Sequence, residues 1–252
     1  MGGFIKYDIV IPCAGRGSRL KQFTKKNTKN LIRIGNQSLL DIQIKSLLSQ
    51  KNKINKIIFI IGYEGKKLKK YILSLKLPFR IEFINNERFV STQCAYSLYL
   101  SLNKITKKTI FINSDFLFNN ILMKKITSIK KNNFFLVRKK KNDEKKRPVK
   151  VLIKDKKVIK ISLSKKNYNF ELVGPFVLPI KSIKKLIIIT KKIKPNVLDK
   201  LSCFEYLGLL IDHVNFNYYQ VKDRDWFEIN DIKEYEKFLR INKNERNIRF
   251  TY

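Results

Sequence analysis

A short apolar run, Tyr7 to Ile11, leads into a turn that holds two glycines, Ala14-Gly15-Arg16-Gly17-Ser18-Arg19. The run reads as a buried strand. Gly15 and Gly17 carry no Cβ, so the backbone there can bend sharply and sit close to a ligand. Successive free N–H groups in such a turn form an anion cradle. Arg19 can reach back over the same anion with a planar fork of donors, and Lys29 closes the stretch with a second cation. A polyphosphate suits this arrangement best; the plainer alternative is a solvated turn that carries two glycines. Two commoner phosphate motifs are excluded. The dinucleotide fingerprint needs a third glycine where this chain has Leu20, and no glycine-lysine-hydroxyl triplet of a P-loop follows Gly15.

A second stretch completes the pattern. Ile110, Phe111 and Ile112 form an apolar strand that ends in Asn113-Ser114-Asp115. Open α/β sheets bind ligands at the carboxyl ends of their strands. An aspartate there can hold Mg²⁺, which prefers one or two carboxylates plus phosphate oxygens. The alternative is an aspartate that caps the following helix, near Asn119 to Lys130.

Together these segments resemble the nucleotidyltransferases that activate phosphorylated small molecules. Those enzymes open with a strand and Ala-Ala-Gly-x-Gly-x-Arg, then Thr-x-x-x-Pro-Lys-x-Leu. Here Cys13 to Leu20 matches the first part. Thr24 and Thr28-Lys29-Asn30-Leu31 match the second, with Thr28 in the place of the proline. Ser114-Asp115-Phe116-Leu117 matches the family's Gly-Asp or Ala-Asp followed by an apolar pair. The nearest look-alikes are bacterial choline-phosphate cytidylyltransferases.

The resemblance implies roles along the rest of the chain. In related enzymes the turn near Asn85 to Leu98 contacts the nucleotide base. Thr92 and Gln93 are suitably polar, although Ser91 or Thr92 would also serve as a helix cap. Glu171 to Phe176 resembles the family's Gly-Ile-Tyr segment on the acceptor side, with Gly174 readable as a bulge beside Pro175. Trp226-Phe227-Glu228-Ile229-Asn230-Asp231 stands where the family has Trp/Tyr-x-Glu/Asp-Ile-Asp, whose last Asp is the second metal ligand. Asn230 occupies that position, with Asp231 next. An amide oxygen can ligate Mg²⁺; Asn230 as a helix cap is the alternative.

Strand and helix patterns alternate throughout. Leu39 to Leu48 is a helix with Ser38 as its cap, Ile57 to Ile61 a buried strand, Glu64 to Leu75 a helix and Ile81 to Ile84 a strand. Phe134 to Val137 reads as a core strand, Arg138 to Arg147 as a solvated loop, and Val149 to Ile161 as a hairpin. Phe216 to Val221 is a late strand before an amphipathic helix, Ile232 to Leu239. This alternation predicts a Rossmann-like α/β fold with a mainly parallel sheet, helices on both faces and a small hairpin insertion. Residues 1–252 read as a single domain, with a nucleotide-binding half at 1–137 and an acceptor-side half at 138–252.

Composition sets outer bounds. In 252 residues, 44% hydrophobic and 12% aromatic content suffices for a substantial core. No apolar run is long enough to span a bilayer, and the N-terminus shows neither a signal-peptide pattern nor a myristoylation motif. Cys13, Cys94 and Cys203 are scattered and odd in number, which predicts reduced thiols in a cytoplasm. The net charge of +35 is mainly lysine spread along the chain, alongside abundant Asn and Ile. These residues share A/T-rich codons, and no nucleic-acid motif accompanies them, so no specific nucleic-acid partner is expected. The charge still steers anionic substrates inward.

These readings predict a Mg²⁺-dependent nucleotidyltransferase, with NTP, CTP first, and a phosphorylated small molecule as partners. Arg19 and Lys29 would be catalytic. Ala14, Gly15, Arg16, Gly17, Ser18, Thr92 and Gln93 would bind nucleotide, Asp115 and Asn230 the metal, and Gly174 and Trp226 the acceptor. Phe176, Tyr218, Tyr219 and Trp226 would give an aromatic wall if the acceptor ends in a quaternary amine. The chain would be cytoplasmic, as a monomer or homodimer. The alternatives are a sugar-1-phosphate uridylyl- or guanylyltransferase for surface polysaccharide synthesis, and a relative that binds nucleotide or RNA without catalysis.

Overall fold

The computed structural model describes residues 5–139, 149–162 and 168–244. In chain order the first half holds β1 (Tyr7–Cys13), β2 (Arg33–Ile34), β3 (Gln37–Ser38), α1 (Leu39–Leu48), β4 (Ile54–Ile61), α2 (Gly65–Ser74), β5 (Arg80–Asn85) and α3 (Cys94–Ser101). There follow β6 (Lys108–Phe111), β7 (Phe116–Phe118), α4 (Asn120–Ser128), β8 (Phe134–Lys139), β9 (Lys150–Lys154), β10 (Lys157–Ser162) and β11 (Phe170–Leu178). The chain continues with α5 (Ile180–Thr190), α6 (Pro195–Leu198), α7 (Cys203–Gly208), β12 (Asn217–Gln220), β13 (Trp226–Glu228) and α8 (Ile232–Asn244).

The expected α/β architecture is present. Strands β5, β4, β1 and β6 lie side by side and parallel. β4 is buried from Lys56 to Ile61, as a strand covered on both faces must be. β11 then enters antiparallel to β6 and carries β8 on its other side, with the β9–β10 hairpin against its N-terminal end. The parallel block thus meets an antiparallel half, which shares one sheet with it.

One core layer packs α1, α2 and α4 on one face, and another packs α3, α5 and α7 on the other. A third cluster joins Leu20 and Ile32 of the N-terminal segment to Leu117, Ile229 and Phe238. Local signals explain the helix starts. Ser38 and Asp41 form a reciprocal capping box at α1. Asn119, not Asp115, caps α4 by accepting from Leu122 N.

Two expectations need correction, and one short strand lies apart. Arg138 and Lys139 belong to β8, not to a loop, because each pairs with β11 (Glu171 and Phe170), with Arg138 partly buried and Lys139 exposed; residues 140–147 of that charged run lie outside the described residues. The strand before Asn230 is not part of the main sheet. It is β13, which pairs with β7 in a separate two-stranded ribbon. Finally, Cys94 and Cys203 form a disulfide, while Cys13 is free and buried. The fold brings the first residues of α3 and α7 together with Cα atoms 5.2 Å apart, which suits a bridge. A sequence separation of 109 hides this pairing from the linear chain.

Candidate functional site

The glycine turn leaves β1 at the sheet edge. Ala14 is buried, and its carbonyl accepts from Tyr63 N at 2.9 Å. Gly17 adopts φ +71°, and a Cβ there would meet the Lys29 side chain at 3.0 Å. Glycine is therefore needed both for the conformation and for the passage of Lys29 beneath the turn. Its carbonyl accepts from Leu20 N and Thr24 Oγ1, which closes the turn. Thr28 stands in for the family's proline as a cap: its side chain accepts from Asn30 N at 3.1 Å.

Gly15, Gly17 and Lys29 open onto a cleft of ≈ 360 Å³. Asn86, Phe89, Thr92 and Gln93 line it from the turn before α3, and Ser114 and Asp115 from the end of β6. Arg16 and Ser18 are exposed outside this lining; Arg16 lies 5.3 Å over the Tyr63 ring. Asn86, which the sequence did not single out, shapes the turn before α3. Its buried amide donates to Thr92 Oγ1 and Ser97 Oγ and accepts from Arg88 N. The helix-cap alternative is not realised at Ser91 or Thr92. Gln93 takes the N-cap position without a side-chain cap bond, so its amide is not committed to the helix.

A further wall comes from Ser202, Cys203 and Phe204. Gln93 N donates to Asp199 O at 2.7 Å, Arg88 pairs with Asp199, and the Cys94–Cys203 bridge joins the two segments. Sequence reasoning missed this wall, since its residues carry no motif.

Beyond the end of β6 Lys29 Nζ donates to Asp115 Oδ2 at 2.9 Å. Arg19 is exposed and reaches Asn230, donating to its Oδ1 at 3.3 Å. Ile229 N donates to Asp115 O at 3.1 Å, which brings the Asn230 segment alongside Asp115. The Lys29–Asp115 and Arg19–Asn230 pairs thus stand on neighbouring segments joined by the Ile229–Asp115 bond, with Lys29 and Asp115 in the cleft's lining and Arg19 and Asn230 outside it. Glu228 joins them. Burial first, then the nearby Asp115 and Glu234 carboxylates, push its carboxyl up to about 7. The oxygen donors Asp115 and Asn230 fit a hard cation that completes its shell with phosphate oxygens. Among the described residues no trio of His, Cys, Asp or Glu makes a self-sufficient metal cage.

The two acceptor-side residues lie apart from this cleft's lining. Gly174 is buried with φ +40° at the irregularity in β11, packed against Phe116. Trp226 stacks on Phe116 at 5.6 Å. The aromatic wall is not formed. Phe176 and Tyr218 pack into the layer on one face of the sheet, Trp226 and Tyr219 into that on the other.

The chain resembles known proteins in sequence and in fold. The choline-phosphate cytidylyltransferase of Streptococcus pneumoniae is 29% identical over 118 residues, 47% of this chain. The matched stretch spans about half of that relative, 49% of its length. Among solved structures, the inositol-1-phosphate CTP transferase from T. maritima has a TM-score of 0.76 at 21% identity, covering 92% of each chain. The CTP:phosphocholine cytidylyltransferase from Streptococcus pneumoniae has 0.74 at 22% identity, covering 94% of this chain and 99% of that one. The fold is thus that of the sugar-phosphate nucleotidyltransferases. No helix among the described residues is long and apolar enough to cross a membrane. Residues 31–162 match the family model described as a domain of unknown function, DUF6564, and the chain belongs to that family.

Proposed function

We propose that this chain transfers a nucleoside monophosphate from an NTP to a phosphorylated small molecule and releases pyrophosphate. The observation that carries the reading is the Lys29–Asp115 contact at the mouth of the glycine turn, in the same cleft as the Asn86–Gln93 turn. Gly15 and Gly17 would cradle the phosphates, and Lys29 and Arg19 would neutralise charge on the transferred and leaving groups. Mg²⁺, held by Asp115 and Asn230, would supply further charge neutralisation on the nucleotide phosphates. The acceptor phosphate has its second pKa near ~6 and is largely ionised at neutral pH. It is already a nucleophile, so no side chain need take a proton. Catalysis then rests on positioning and electrostatics, as in other phosphoryl chemistry.

CTP is the proposed donor, since the similar proteins include a choline-phosphate cytidylyltransferase and an inositol-1-phosphate CTP transferase. Gln93, which lines the cleft, would read a base edge with one donor and one acceptor. The test is pyrophosphate release from each of CTP, UTP, GTP and ATP in the presence of phosphorylated alcohols and sugar 1-phosphates. CTP is expected to give the highest turnover. Preference for UTP or GTP with a sugar 1-phosphate would replace this reading with the sugar-nucleotide one, and no release from any pair would remove it.

A further inference from the structure

The acceptor half carries a charge cluster of its own beside the reacting end. Glu171 on β11 stands opposite Arg138 on β8 and opposite Lys150 on β9, so the strand register places one carboxylate between two cations. Arg138 Nε donates to Glu171 Oε2 at 2.7 Å, and Lys150 Nζ lies 3.6 Å from Oε1. Glu171 is only 2% exposed. β8 and β6 are both antiparallel to β11, so they run the same way. Arg138 therefore sits at the sheet edge that also carries Asp115. Its guanidinium lies 5.5 Å over the Trp226 ring, and Trp226 stacks on Phe116, the residue after Asp115.

We propose that Arg138 and Lys150 select an acceptor that carries a second oxyanion beyond its attacking phosphate, and that this wall turns away acceptors ending in a quaternary amine. The proposal rests on the nucleotidyl-transfer reading for the word acceptor, and on this cluster for the selection. Two cations share the buried Glu171 carboxylate, and Glu228 is a second carboxylate that faces the Arg138 charge. Among the described residues Arg138 donates to Glu171 through Nε, which leaves its two NH2 groups for an anion's oxygens. Arg138 offers the planar donor fork that carboxylates and phosphoryl groups take.

A quaternary amine needs the opposite surroundings, an open aromatic face within ~6 Å of the ring centre. Trp226 already carries two partners. Arg138 covers it at 5.5 Å and Phe116 stacks on it at 5.6 Å with 17° between the planes. Tyr168 is covered likewise, by Lys150 at 4.2 Å. Both rings are already occupied by the protein's own cations. The Trp226 indole N–H is also buried without a partner, a donor suited to an anion's oxygen once the side chain shifts.

Trp226 is the only tryptophan of the chain, so its emission reports on this wall. The experiment titrates the whole protein, without nucleotide, with three phosphomonoesters of similar size: phosphoglycolate, propane-1,3-diol bisphosphate and phosphocholine. At least one of the first two is expected to change the emission saturably, with an apparent Kd about tenfold or more below that of phosphocholine, as for a charged hydrogen bond gained. Which of the two binds tighter distinguishes a carboxylate from a phosphoryl group. Arg138→Gln should erase the advantage, and Lys150→Gln should reduce it; the wild-type titration alone decides if either variant does not fold. Phosphocholine binding as tightly as the probes with two anionic groups, no emission change with any probe, or an advantage that survives Arg138→Gln each overturns the proposal. Because the readout needs no turnover, the two readings separate. The expected preference without pyrophosphate release leaves the anion site standing and removes the transferase reading. Turnover with phosphocholine and no anion preference does the reverse.

Discussion

Lys29 Nζ reaches Asp115 Oδ2 at 2.9 Å across 86 residues of chain, with the Lys29 side chain 9% exposed and that of Asp115 23%. The cation that would face the phosphates and the carboxylate that would face the metal satisfy each other in the free protein. An incoming nucleotide would have to draw Lys29 from Asp115 or share it. Lys29→Ala is expected to lower turnover by about 10²–10³, the usual cost of one electrostatic contact to developing charge, and Asp115→Ala to abolish it. Pyrophosphate release by folded variants, verified by circular dichroism, checks both. Near wild-type turnover in Lys29→Ala would remove Lys29 from the machinery.

Glu228 gives the site a pH signature in stability. Its carboxyl titrates near 7 in the fold against an ordinary 4.5, raised by burial and by Asp115 and Glu234. The folded state thus holds this proton more tightly than the unfolded chain. Its contribution to stability is fully present below about pH 4.5 and is lost as pH rises through about 7. Glu228→Gln keeps the shape and removes the charge. The variant should gain on the wild type in urea midpoint at pH 8 relative to the same comparison at pH 5. An equal difference at both values would mean that Glu228 does not titrate there.

The disulfide ties two walls of the cleft. It closes 109 residues of sequence between Cys94 and Cys203, and bridges over long loops typically contribute about 2–4 kcal/mol. The double variant Cys94→Ser, Cys203→Ser should lose stability in that range. It should also bind CTP more weakly, because Cys94 and Cys203 both line the cleft. Urea unfolding and calorimetry check the two effects. An unchanged urea midpoint on adding dithiothreitol would show that the bond contributes nothing to the fold.

Asn230 bears on the metal. Its amide oxygen already accepts from Arg19 and brings no charge of its own to a cation beside Asp115. Asn230→Asp should lower the Mg²⁺ concentration for half-maximal rate, since a carboxylate binds a hard cation better than an amide. A rate curve that does not move would take Asn230 out of the ligand set and turn attention to Asp231.

What could be read in the sequence followed from local rules. The strand into the glycine turn, the Ser38 cap and α1, and the apolar strand before Asp115 depend on neighbours within a few residues. What could not be read depends on pairing across the sheet. Glu171 meets Arg138 and Lys150 only through the registers of β8 and β9 on β11. The Ser202–Phe204 wall is brought in by α7, which packs against α3 from far along the chain. Phe176 and Trp226 look like one aromatic set in the sequence, yet they pack on opposite faces of the sheet.

Gly174 links the fold to the site more tightly than its distance in sequence suggests. It lies between Leu172 and Phe176, where the β11–β8 pairing shifts register, at φ +40° and packed against the Phe116 ring. A Cβ there would fall inside the space that ring occupies, and the backbone conformation is itself unfavourable for an L side chain. Gly174→Ala should therefore cost about 2–4 kcal/mol from strain and overpacking combined. The ring cannot withdraw freely, because Trp226 stacks on it and Phe118 lies on its other contact at 5.7 Å. Any accommodation moves Phe116, and with it the adjacent Asp115. Turnover should then fall even in the fraction that remains folded. Phe116→Leu in the Gly174→Ala background removes part of the clash while leaving the backbone strain. The pair should be less destabilised than the sum of the single changes, by about 1 kcal/mol or more in a double-mutant cycle. Strict additivity would show that Gly174 and Phe116 do not press on one another, and would leave only the backbone conformation to explain the glycine.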